Sequence, residues 1–202
     1  MAGIMKQTAP DPGRRRFLVS SLACAAGATA AGETTLALAQ GPRLTPTPEC
    51  QSGRTTPAQT EGPFYSPRTP PKADFRKDAP GEPIVLEGFV LGTDCKPLAG
   101  AWLDFWHADA TGDYDNSGFK LRGHQVTDAG GRYRLLTILP AIYPGRTRHI
   151  HVKVRAKEGG RILTTQTYFP GEAGNARDGL YRPELVARKT GAGLAFDFVL
   201  PA

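Results

Sequence analysis

From about residue 84 to the end of the chain, apolar and polar residues alternate over short runs that Gly, Pro and Asp residues separate. Alternation with a period of two is typical of β-strands with one buried and one exposed face. The runs are IVLEGFVL, AWLDFWHA, the stretch GHQVTDAGGRYRLLTIL, which holds two strands around a turn, HIHVKVRA, ILTTQTYF and LAFDFVL. Residues 171–193 lack the pattern and are predicted as loop, with a helical turn near Pro183. Seven short strands without a convincing amphipathic helix predict an all-β fold, an antiparallel β-sandwich with long functional loops.

The run AWLDFWHA shows how the two faces of such a strand differ. Trp102, Asp104 and Trp106 share one face, and Leu103, Phe105 and His107 share the other. His107 lies in an aromatic run, so we expect it to pack or to donate a hydrogen bond rather than to bind a metal. His124 is expected at the surface or in the lining of a pocket.

Residues 40–83 are rich in Pro, Thr and Gly and show little periodicity. This composition predicts an extended N-terminal segment laid over a β-sandwich domain of residues 84–202. The segment contains the motif TPAQTEGPFYSP. Its Phe64 and Tyr65 either fill a hydrophobic groove or, in the case of Tyr65, line the rim of a substrate pocket.

Residues 1–39 are predicted to be a targeting signal. A cationic stretch is followed by an Ala-rich run and by Ala37-Leu38-Ala39, which fits a cleavage site before Gln40. The run is too short and too poor in large apolar residues to span a membrane, so no stable membrane anchor is expected. With Arg14 and Arg15 as the pair, the segment resembles a twin-arginine signal, which predicts export to the periplasm or the outside.

The cysteines add a second expectation about the compartment. Cys24 would leave with the signal, and a lipoprotein site at Cys24 is disfavoured because Ser21 stands where an aliphatic residue is preferred. Cys50 and Cys95 would remain, and in an oxidising compartment two thiols can pair. A disulfide that ties the N-terminal segment to the domain and two free thiols are both left open.

Composition narrows the class of protein further. With 202 residues, 40% of them hydrophobic and 22% charged, the chain is predicted to form one globular domain. The formal net charge is +6, but no Lys/Arg block with interleaved aromatics follows the predicted signal. Nucleic acid binding is therefore not predicted, whereas small anionic substrates would be accepted. A homo-oligomer is left open.

The segment PAIYPGRTRHIHVKV gathers the side chains with the most evident chemistry. His149 and His151 alternate with apolar residues, so a strand would direct both imidazoles to the same face. Two neutral imidazoles on one face are a common start to a metal site. Taken alone, they could equally be surface or pocket residues.

Two tyrosines change the kind of metal that these histidines would bind. Tyr114 lies in the polar loop ADATGDYDNSG, and Tyr143 precedes Pro144 at the expected start of a strand. Each tyrosine has a plain structural alternative, as a loop-tip or strand-end packing residue. Together with His149 and His151 they form a set of two nitrogens and two oxygens, and phenolate oxygens favour a hard trivalent ion, ferric iron, over zinc. A bound cation would also deprotonate phenols whose ordinary pKa is about 10.

These motifs, in this order, resemble the intradiol ring-cleavage dioxygenases. The resemblance runs from about Thr56 to Pro170 and rests on TPAQTEGPFY, GFVLGTDCKPLAGAWLDFWHADATGDYD, YPGRTRHIH and TTQTYFPGE. It implies a non-heme Fe(III) cofactor completed by a hydroxide and held by four protein ligands. Tyr143 and His151 match the axial pair of that family, and Tyr114 and His149 match the equatorial pair.

The resemblance also implies a reaction and further roles. The substrates would be a small catechol and O2, and the product would be a cis,cis-muconate-type acid, with iron acting as a Lewis acid on the diol. Tyr143 would leave the metal and accept a substrate proton. Arg146 would stabilise developing negative charge, and Gln166 would line the pocket. Arg148 is the competing arginine, but strand alternation places it on the face opposite His149.

Two departures from the family concern the substrate. The gap between Tyr143 and His149 is shorter than in protocatechuate dioxygenases, and Gly145 stands where those enzymes carry a Trp that packs on the substrate. An open pocket mouth at Gly145 predicts a larger or differently substituted catechol, or a hydroxyquinol. The helical N-terminal dimerisation region of catechol 1,2-dioxygenases is also absent from the sequence.

Two other functions fit parts of the sequence. The segment GFVLGTDCKPLAGAWLDFW is similar to the opening of transthyretin-like sandwiches, which would make the protein a non-catalytic binding module. A zinc hydrolase built on the histidine pair is the other alternative, but no catalytic carboxylate with motif spacing accompanies the pair.

Overall fold

The computed structural model describes Cys50 and residues 53–201, and in this part of the chain nine β-strands form two sheets that face each other. The strands are β1 (Pro83–Gly92), β2 (Trp102–Trp106), β3 (Arg122–Val126), β4 (Arg132–Ile138), β5 (His149–Arg155), β6 (Ile162–Tyr168), β7 (Arg188–Thr190), β8 (Gly193–Ala195) and β9 (Phe198–Leu200). Two single 3₁₀ turns, Asn175–Arg177 and Pro183–Leu185, precede β7. The predicted all-β sandwich is confirmed.

One sheet has four strands in the order β3-β2-β5-β6, all antiparallel. The other has the order β4-β1-β8-β7, and β9 also pairs with β1. Here β1 is antiparallel to β4 but parallel to β8 and β9. The strands at the end of the chain, β8 and β9, are thus the exception to the predicted antiparallel pairing.

The last predicted strand, LAFDFVL, is divided into β8 and β9. The division lies opposite Gly88, where an added Cβ would come within 1.8 Å of the Phe196 carbonyl oxygen. The Asp197 carboxylate accepts the hydrogen bond of the Phe89 N–H at 2.9 Å, in place of a backbone carbonyl. A glycine in β1 thus permits the close approach that interrupts the ladder. Strand β7, in the stretch predicted as loop, is a further addition of three residues.

The core lies between the two sheets and is built from the inward face of each strand. From the four-stranded sheet it takes Leu103 and Phe105 of β2 and Ile150, Val152 and Val154 of β5, all buried. From the other sheet it takes Leu86, Val90, Tyr133, Leu135 and Phe198, also buried. This arrangement leaves Asp104, Trp106 and the two β5 histidines on the outer face of the four-stranded sheet, as the alternation predicts.

That outer face is covered by residues 56–75, which we call the strap. The strap begins beside β9, where the Thr56 N–H donates to the Val199 carbonyl at 2.9 Å. It passes the β6 edge through a hydrogen bond from Gln59 to the Thr164 carbonyl at 2.9 Å. It then crosses the sheet and ends with the Phe75 N–H on the Leu136 carbonyl, at 2.7 Å. The division at residue 83 stays a prediction, although no strand lies between residues 53 and 82.

The predicted signal peptide, residues 1–39, lies outside the described residues together with Arg14, Arg15 and Cys24. Within the residues that the structure describes, no helix has the length and apolar character needed to cross a membrane.

The structure joins Cys50 to Cys95 in a disulfide that closes a loop with a sequence separation of 45 residues. Of the two alternatives, the bridge between the N-terminal segment and the domain is the one observed. Because a crosslink restricts the unfolded chain, we expect the double variant Cys50→Ser/Cys95→Ser to lose about 2–4 kcal/mol of unfolding free energy. Urea denaturation checks this, with the reduced wild-type protein as the control. Equal midpoints for variant and wild type would contradict the expectation.

His107 is buried in the sandwich, as a hydrogen-bonded packing residue rather than a ligand. Its Nδ1 lies 2.7 Å from the Ala108 carbonyl and its Nε2 lies 2.6 Å from the Thr137 hydroxyl. Burial lowers the pKa of His107 to about 4, from 6.5.

This lowered pKa predicts a loss of stability in acid. Between pH 6.5 and about 4 the unfolded chain holds a proton on His107 that the folded chain lacks. The contribution is therefore complete above pH 6.5 and declines by roughly 3 kcal/mol as the pH falls through this window. We expect His107→Gln to flatten the pH dependence of unfolding in urea, measured on iron-free protein. An identical slope in variant and wild type would assign the acid sensitivity to other groups.

Candidate functional site

A row of side chains crosses the outer face of the four-stranded sheet, one from each strand. The strand register places Arg122 opposite Trp106, Trp106 opposite His151, and His151 opposite Gln166. Residues directly opposite on neighbouring strands share a face, so the four side chains form one line under the strap. His149, two residues before His151 in β5, lies on the same face beside His151, in the direction of the strand.

The two histidines present their Nε2 atoms to the same point. These atoms lie 3.1 Å apart, and both rings are buried. The His149 Nδ1 lies 2.6 Å from the Thr147 carbonyl, so Nδ1 carries the proton and the Nε2 lone pair faces the cluster. Burial, followed by the charge of Arg146, lowers the pKa of His149 to about 4. Burial and then His149 lower the pKa of His151 as well, so both imidazoles are neutral.

The two tyrosine hydroxyls reach the same point from separate loops. The Tyr114 Oη lies 3.5 Å and the Tyr143 Oη lies 3.4 Å from the His149 Nε2. Tyr114 follows a loop that the Asp109 carboxylate closes, because it accepts the N–H groups of Thr111 and Asp113 at 2.8 and 3.1 Å. The structure thus brings all four predicted ligand residues together.

Tyr143 is held by the tight turn of residues 143–146. The Arg146 N–H donates to the Tyr143 carbonyl at 3.0 Å, Pro144 follows Tyr143, and Gly145 has a φ of +81°. A proline at the second position and a positive φ at the third are the marks of a type II turn. The backbone of this turn therefore favours glycine at position 145. This explains Gly145 without the open pocket mouth predicted from the sequence. A Cβ at Gly145 would nevertheless meet nothing within 4 Å, so the space beside it is open.

The donor atoms fit a metal ion. With metal–ligand bonds of about 2.1 Å, neighbouring donors at roughly right angles lie about 3.0 Å apart. The observed separations of 3.1–3.5 Å are close to that spacing, yet those from the hydroxyls are long for hydrogen bonds. Four buried or half-buried polar atoms that converge without good partners of their own are typical of a cation site. Among the described residues, no group of three or more His, Cys, Asp or Glu could hold a metal, so the phenols are needed to complete the set.

Arg122 and Phe64 support Tyr114, and neither was predicted as a site residue. The Phe64 ring stacks on Tyr114 with centroids 4.4 Å apart and an interplanar angle of 15°. Arg122 is buried and donates to the Asp115 carbonyl at 2.8 Å and to the Phe64 carbonyl at 2.5 Å. One guanidinium therefore joins the strap to the Tyr114 loop. The alternation in LRGHQV places Arg122 on the face of His124, but it gives no hint of this partner.

Trp106 supports His151 in a similar way. The two rings stack with centroids 4.8 Å apart and an interplanar angle of 10°, and Trp106 is fully buried. The indole therefore fixes the plane of the imidazole and excludes water from its side. The sequence places Trp106 on the correct face, but it cannot place the residue opposite His151.

Arg146 lies at the other side of Tyr143, at the centre of a hydrogen-bond network. Its guanidinium donates to the Asp178 carboxylate at 2.9 Å, to the Gln166 Oε1 at 2.5 Å and to the Tyr143 hydroxyl at 3.4 Å. Burial alone would lower the pKa of Arg146, but the hydrogen bond and charge of Asp178 outweigh it and raise the pKa. Gln166 is fixed in turn, since its amide donates to the Thr60 carbonyl at 3.0 Å. A permanent positive charge thus faces the Tyr143 oxygen.

Asp178 was not predicted, because it lies in the stretch assigned to loop. It is buried and accepts the Thr147 N–H at 2.9 Å besides Arg146. Burial would raise the pKa of Asp178, but these hydrogen bonds lower it, so the carboxylate stays charged. Arg148 is directed elsewhere, to Glu172 at 2.9 Å, in keeping with its expected position away from the histidines.

Tyr65 contacts a different group from the one expected. Its hydroxyl donates to the Asp104 carboxylate at 3.0 Å, and its ring packs on Trp106 with centroids 4.8 Å apart. Trp106 lies between Tyr65 and His151, and Phe64 is the strap residue that contacts a predicted ligand. The contacts of Tyr65 match the groove-filling alternative and give no support to a substrate-binding role.

Comparison with known sequences adds a family to this geometry. A family model described as Dioxygenase matches residues 60–201. Catechol 1,2-dioxygenase of Acinetobacter baylyi is 32% identical over 147 residues, which cover 58% of this chain and 47% of that protein. The protocatechuate 3,4-dioxygenase beta chain of Burkholderia cepacia is 36% identical over 119 residues, 50% of this chain and 51% of that one. The chain thus spans about half the length of these curated relatives.

Solved structures give the same result. The dioxygenase domain of a dioxygenase carbohydrate-binding protein fusion from Streptomyces sp. SirexAA-E is 50% identical, with a TM-score of 0.69 over 73% of this chain and 99% of that chain. A 3-chlorocatechol 1,2-dioxygenase from Rhodococcus opacus 1CP is 28% identical, with a TM-score of 0.64 and 75% coverage of each chain. The family match covers well over half of the sequence and includes every residue of the tyrosine–histidine cluster. The chain therefore belongs to the intradiol ring-cleavage dioxygenase family.

Proposed function

We propose that this protein is an enzyme that cleaves a catechol-type aromatic diol between its two hydroxyl-bearing carbons, using O2 and a non-heme ferric ion. The product is a cis,cis-muconate-type dicarboxylic acid. The proposal rests mainly on the geometry of four atoms. The Tyr114 Oη, the Tyr143 Oη and the His151 Nε2 each lie 3.1–3.5 Å from the His149 Nε2.

Tyr114, Tyr143, His149 and His151 would hold the iron, which when bound supplies Lewis acidity toward the diol oxygens. The remaining chemistry belongs to the chain. The Tyr143 Oη, which would be a phenolate while it holds the ion, is the base that accepts a hydroxyl proton of the diol, and the Arg146 guanidinium lies 3.4 Å from it. Arg146 stabilises the negative charge that develops on the ring oxygens. Asp178 and Gln166 keep Arg146 in place at 2.9 and 2.5 Å.

The strap and the sheet protect this chemistry from water. Phe64 covers Tyr114 from the strap side, and Trp106 covers His151 from the sheet side. The Arg146 side chain is only 14% exposed, and a charge so far removed from water interacts more strongly with an anionic substrate, because the local dielectric constant is lower. The chain therefore supplies a largely buried charged donor for electrostatic catalysis.

A labelled-oxygen experiment tests the proposal. The protein is loaded with iron and given catechol, 4-chlorocatechol or hydroxyquinol under ¹⁸O2, and the products are identified by mass spectrometry. We expect a dicarboxylic acid that contains both labelled atoms, with no H2O2 released. The absence of a labelled ring-opened acid from every diol, with iron bound, would overturn the proposal. A binding module of the transthyretin-like kind would bind no iron and show no red-brown colour.

We further propose that the protein functions outside the cytoplasm. The Cys50–Cys95 disulfide supports this location, since such bridges persist mainly in oxidising compartments. Mass spectrometry of protein secreted by its own host should find a chain that begins at Gln40 and lacks free thiols. Recovery of an uncleaved, reduced chain from the cytoplasm would contradict the proposal.

A further inference from the structure

A cavity of about 430 Å³ adjoins the catalytic cluster, and Tyr143 and Arg146 form its inner wall. We call it the side cavity. Its outer wall is formed by Ile142, Gly145 and Arg177. Tyr143 and Arg146 stand between the side cavity and the cluster, so a group attached to a substrate ring at the cluster reaches the side cavity past these two side chains.

The charged groups at the inner wall of the side cavity neutralise each other. Asp178 lines it but is buried, and its carboxylate accepts hydrogen bonds from Arg146, Thr147 and Leu180 at 2.8–2.9 Å. The charges of Asp178 and Arg146 therefore offset each other.

Unlike Arg146, Arg177 has no carboxylate partner among the described residues. Its side chain is exposed, and no ion pair or side-chain hydrogen bond joins it to another of the described residues. It follows Gly174 in a 3₁₀ turn at the cavity edge. The side cavity thus carries one net positive charge at its outer end.

The wall near that charge is apolar and open. Ile142 is 58% exposed, which is unusual for isoleucine, and Gly145 leaves the space beside it empty. An apolar surface followed by a lone cation fits a ligand group with an apolar linker and an anionic end. Such a group would cover Ile142 and pair with the Arg177 guanidinium.

We propose that the side cavity binds a ring substituent with a short apolar linker that ends in a carboxylate, and that Arg177 and Ile142 determine this preference. This proposal rests on the proposed ring-cleavage function, because a substituent can reach the side cavity only if the diol of the substrate is bound at the iron ligands. It names a substrate class, catechols with an acidic side chain, within that function.

The test compares three probes on the iron-loaded protein: catechol, 3-(3,4-dihydroxyphenyl)propanoate and the methyl ester of that acid. Binding is measured anaerobically by titration calorimetry, so that the affinity is obtained without turnover. We expect Arg177→Gln to weaken binding of the acid roughly 3-fold to 5-fold, as for a partly exposed ion pair. Binding of catechol and of the ester should not change. Arg161→Gln, at an exposed arginine in the β5–β6 turn, is the matched control and should change none of the three.

The apolar part of the proposal has its own variant. Ile142→Ser should weaken the acid and the ester by similar factors, on the order of 3-fold or more, and leave catechol unchanged. An unchanged acid-to-ester affinity ratio in Arg177→Gln would overturn the proposal, and so would equal weakening of catechol. Failure of the wild type to cleave catechol under O2 would overturn the ring-cleavage function instead. Whether or not catechol is cleaved, the acid-to-ester affinity ratio shows whether the side cavity binds the carboxylate.

Discussion

Tyr114→Phe is expected to abolish ring cleavage and to remove the red-brown colour of the iron-loaded protein. The substitution deletes a single atom, the phenol oxygen that lies 3.5 Å from the His149 Nε2. The phenylalanine ring keeps the stacking contact with Phe64 at 4.4 Å, so the loop should retain its position. Removing a group that only supports a metal ligand costs about 10–100-fold in metal affinity. Because Tyr114→Phe removes a ligand atom itself, we expect the iron affinity to fall on the order of 100-fold or more.

Three measurements check this expectation: iron per chain after dialysis, visible absorbance and oxygen uptake with catechol. Tyr133→Phe is the matched control, because it removes a buried hydroxyl that donates to the Phe196 carbonyl at 2.8 Å in the core. That variant should be less stable by about 1–3 kcal/mol but keep its iron and its colour. Full colour and turnover in Tyr114→Phe would exclude Tyr114 from the ligand set.

The part of the site that the sequence predicts is local. His149 and His151 share a face because strand alternation is fixed by the backbone, whatever the partner strands are. The same rule separates Arg148 from the histidines and joins Trp106 to Asp104. Each of these expectations needs only one element, and each agrees with the positions that the structure gives.

What the sequence does not predict depends on pairing between distant segments. The row of Arg122, Trp106, His151 and Gln166 exists because of the register of three strand pairs. A shift by one residue would turn every side chain of a strand to the other face, and local sequence alone does not determine the register. Asp178 meets Arg146 across 32 residues of chain that contain no pattern pointing to the contact.

The same limit explains why the pairing of the chain-end strands was not predicted. The parallel pairing of β8 and β9 with β1 reflects the path of the chain end, which the alternation in LAFDFVL does not encode. The interruption between them depends on Gly88, which lies more than a hundred residues earlier in the chain and has no side chain to block the Phe196 carbonyl. Contacts of this kind become predictable only when both segments are known to be neighbours.

Arg146→Met is expected to lower kcat by about 10²–10³-fold, the loss typical of removing one preorganised donor. The guanidinium is the positive charge that faces the Tyr143 oxygen at 3.4 Å, and methionine replaces it with a shorter, uncharged and flexible chain. The variant also leaves the Asp178 carboxylate buried without its partner. Breaking a buried ion pair costs roughly 3–5 kcal/mol of stability, so a loss of activity could come from a disordered turn instead.

The double variant Arg146→Met/Asp178→Asn separates these two causes. Asparagine retains an oxygen for the Thr147 N–H, which donates to Asp178 at 2.9 Å, and it carries no charge that needs a partner. We expect urea denaturation to show that the double variant regains most of the lost stability, while kcat for catechol stays as low as in Arg146→Met. The kcat of both variants is expressed per bound iron, because Arg146 donates to the Tyr143 oxygen at 3.4 Å and loss of such a partner costs about 10–100-fold in metal affinity. Recovery of kcat together with stability would mean that Arg146 acts only by positioning the turn of residues 143–146, and that its charge contributes nothing to the reaction.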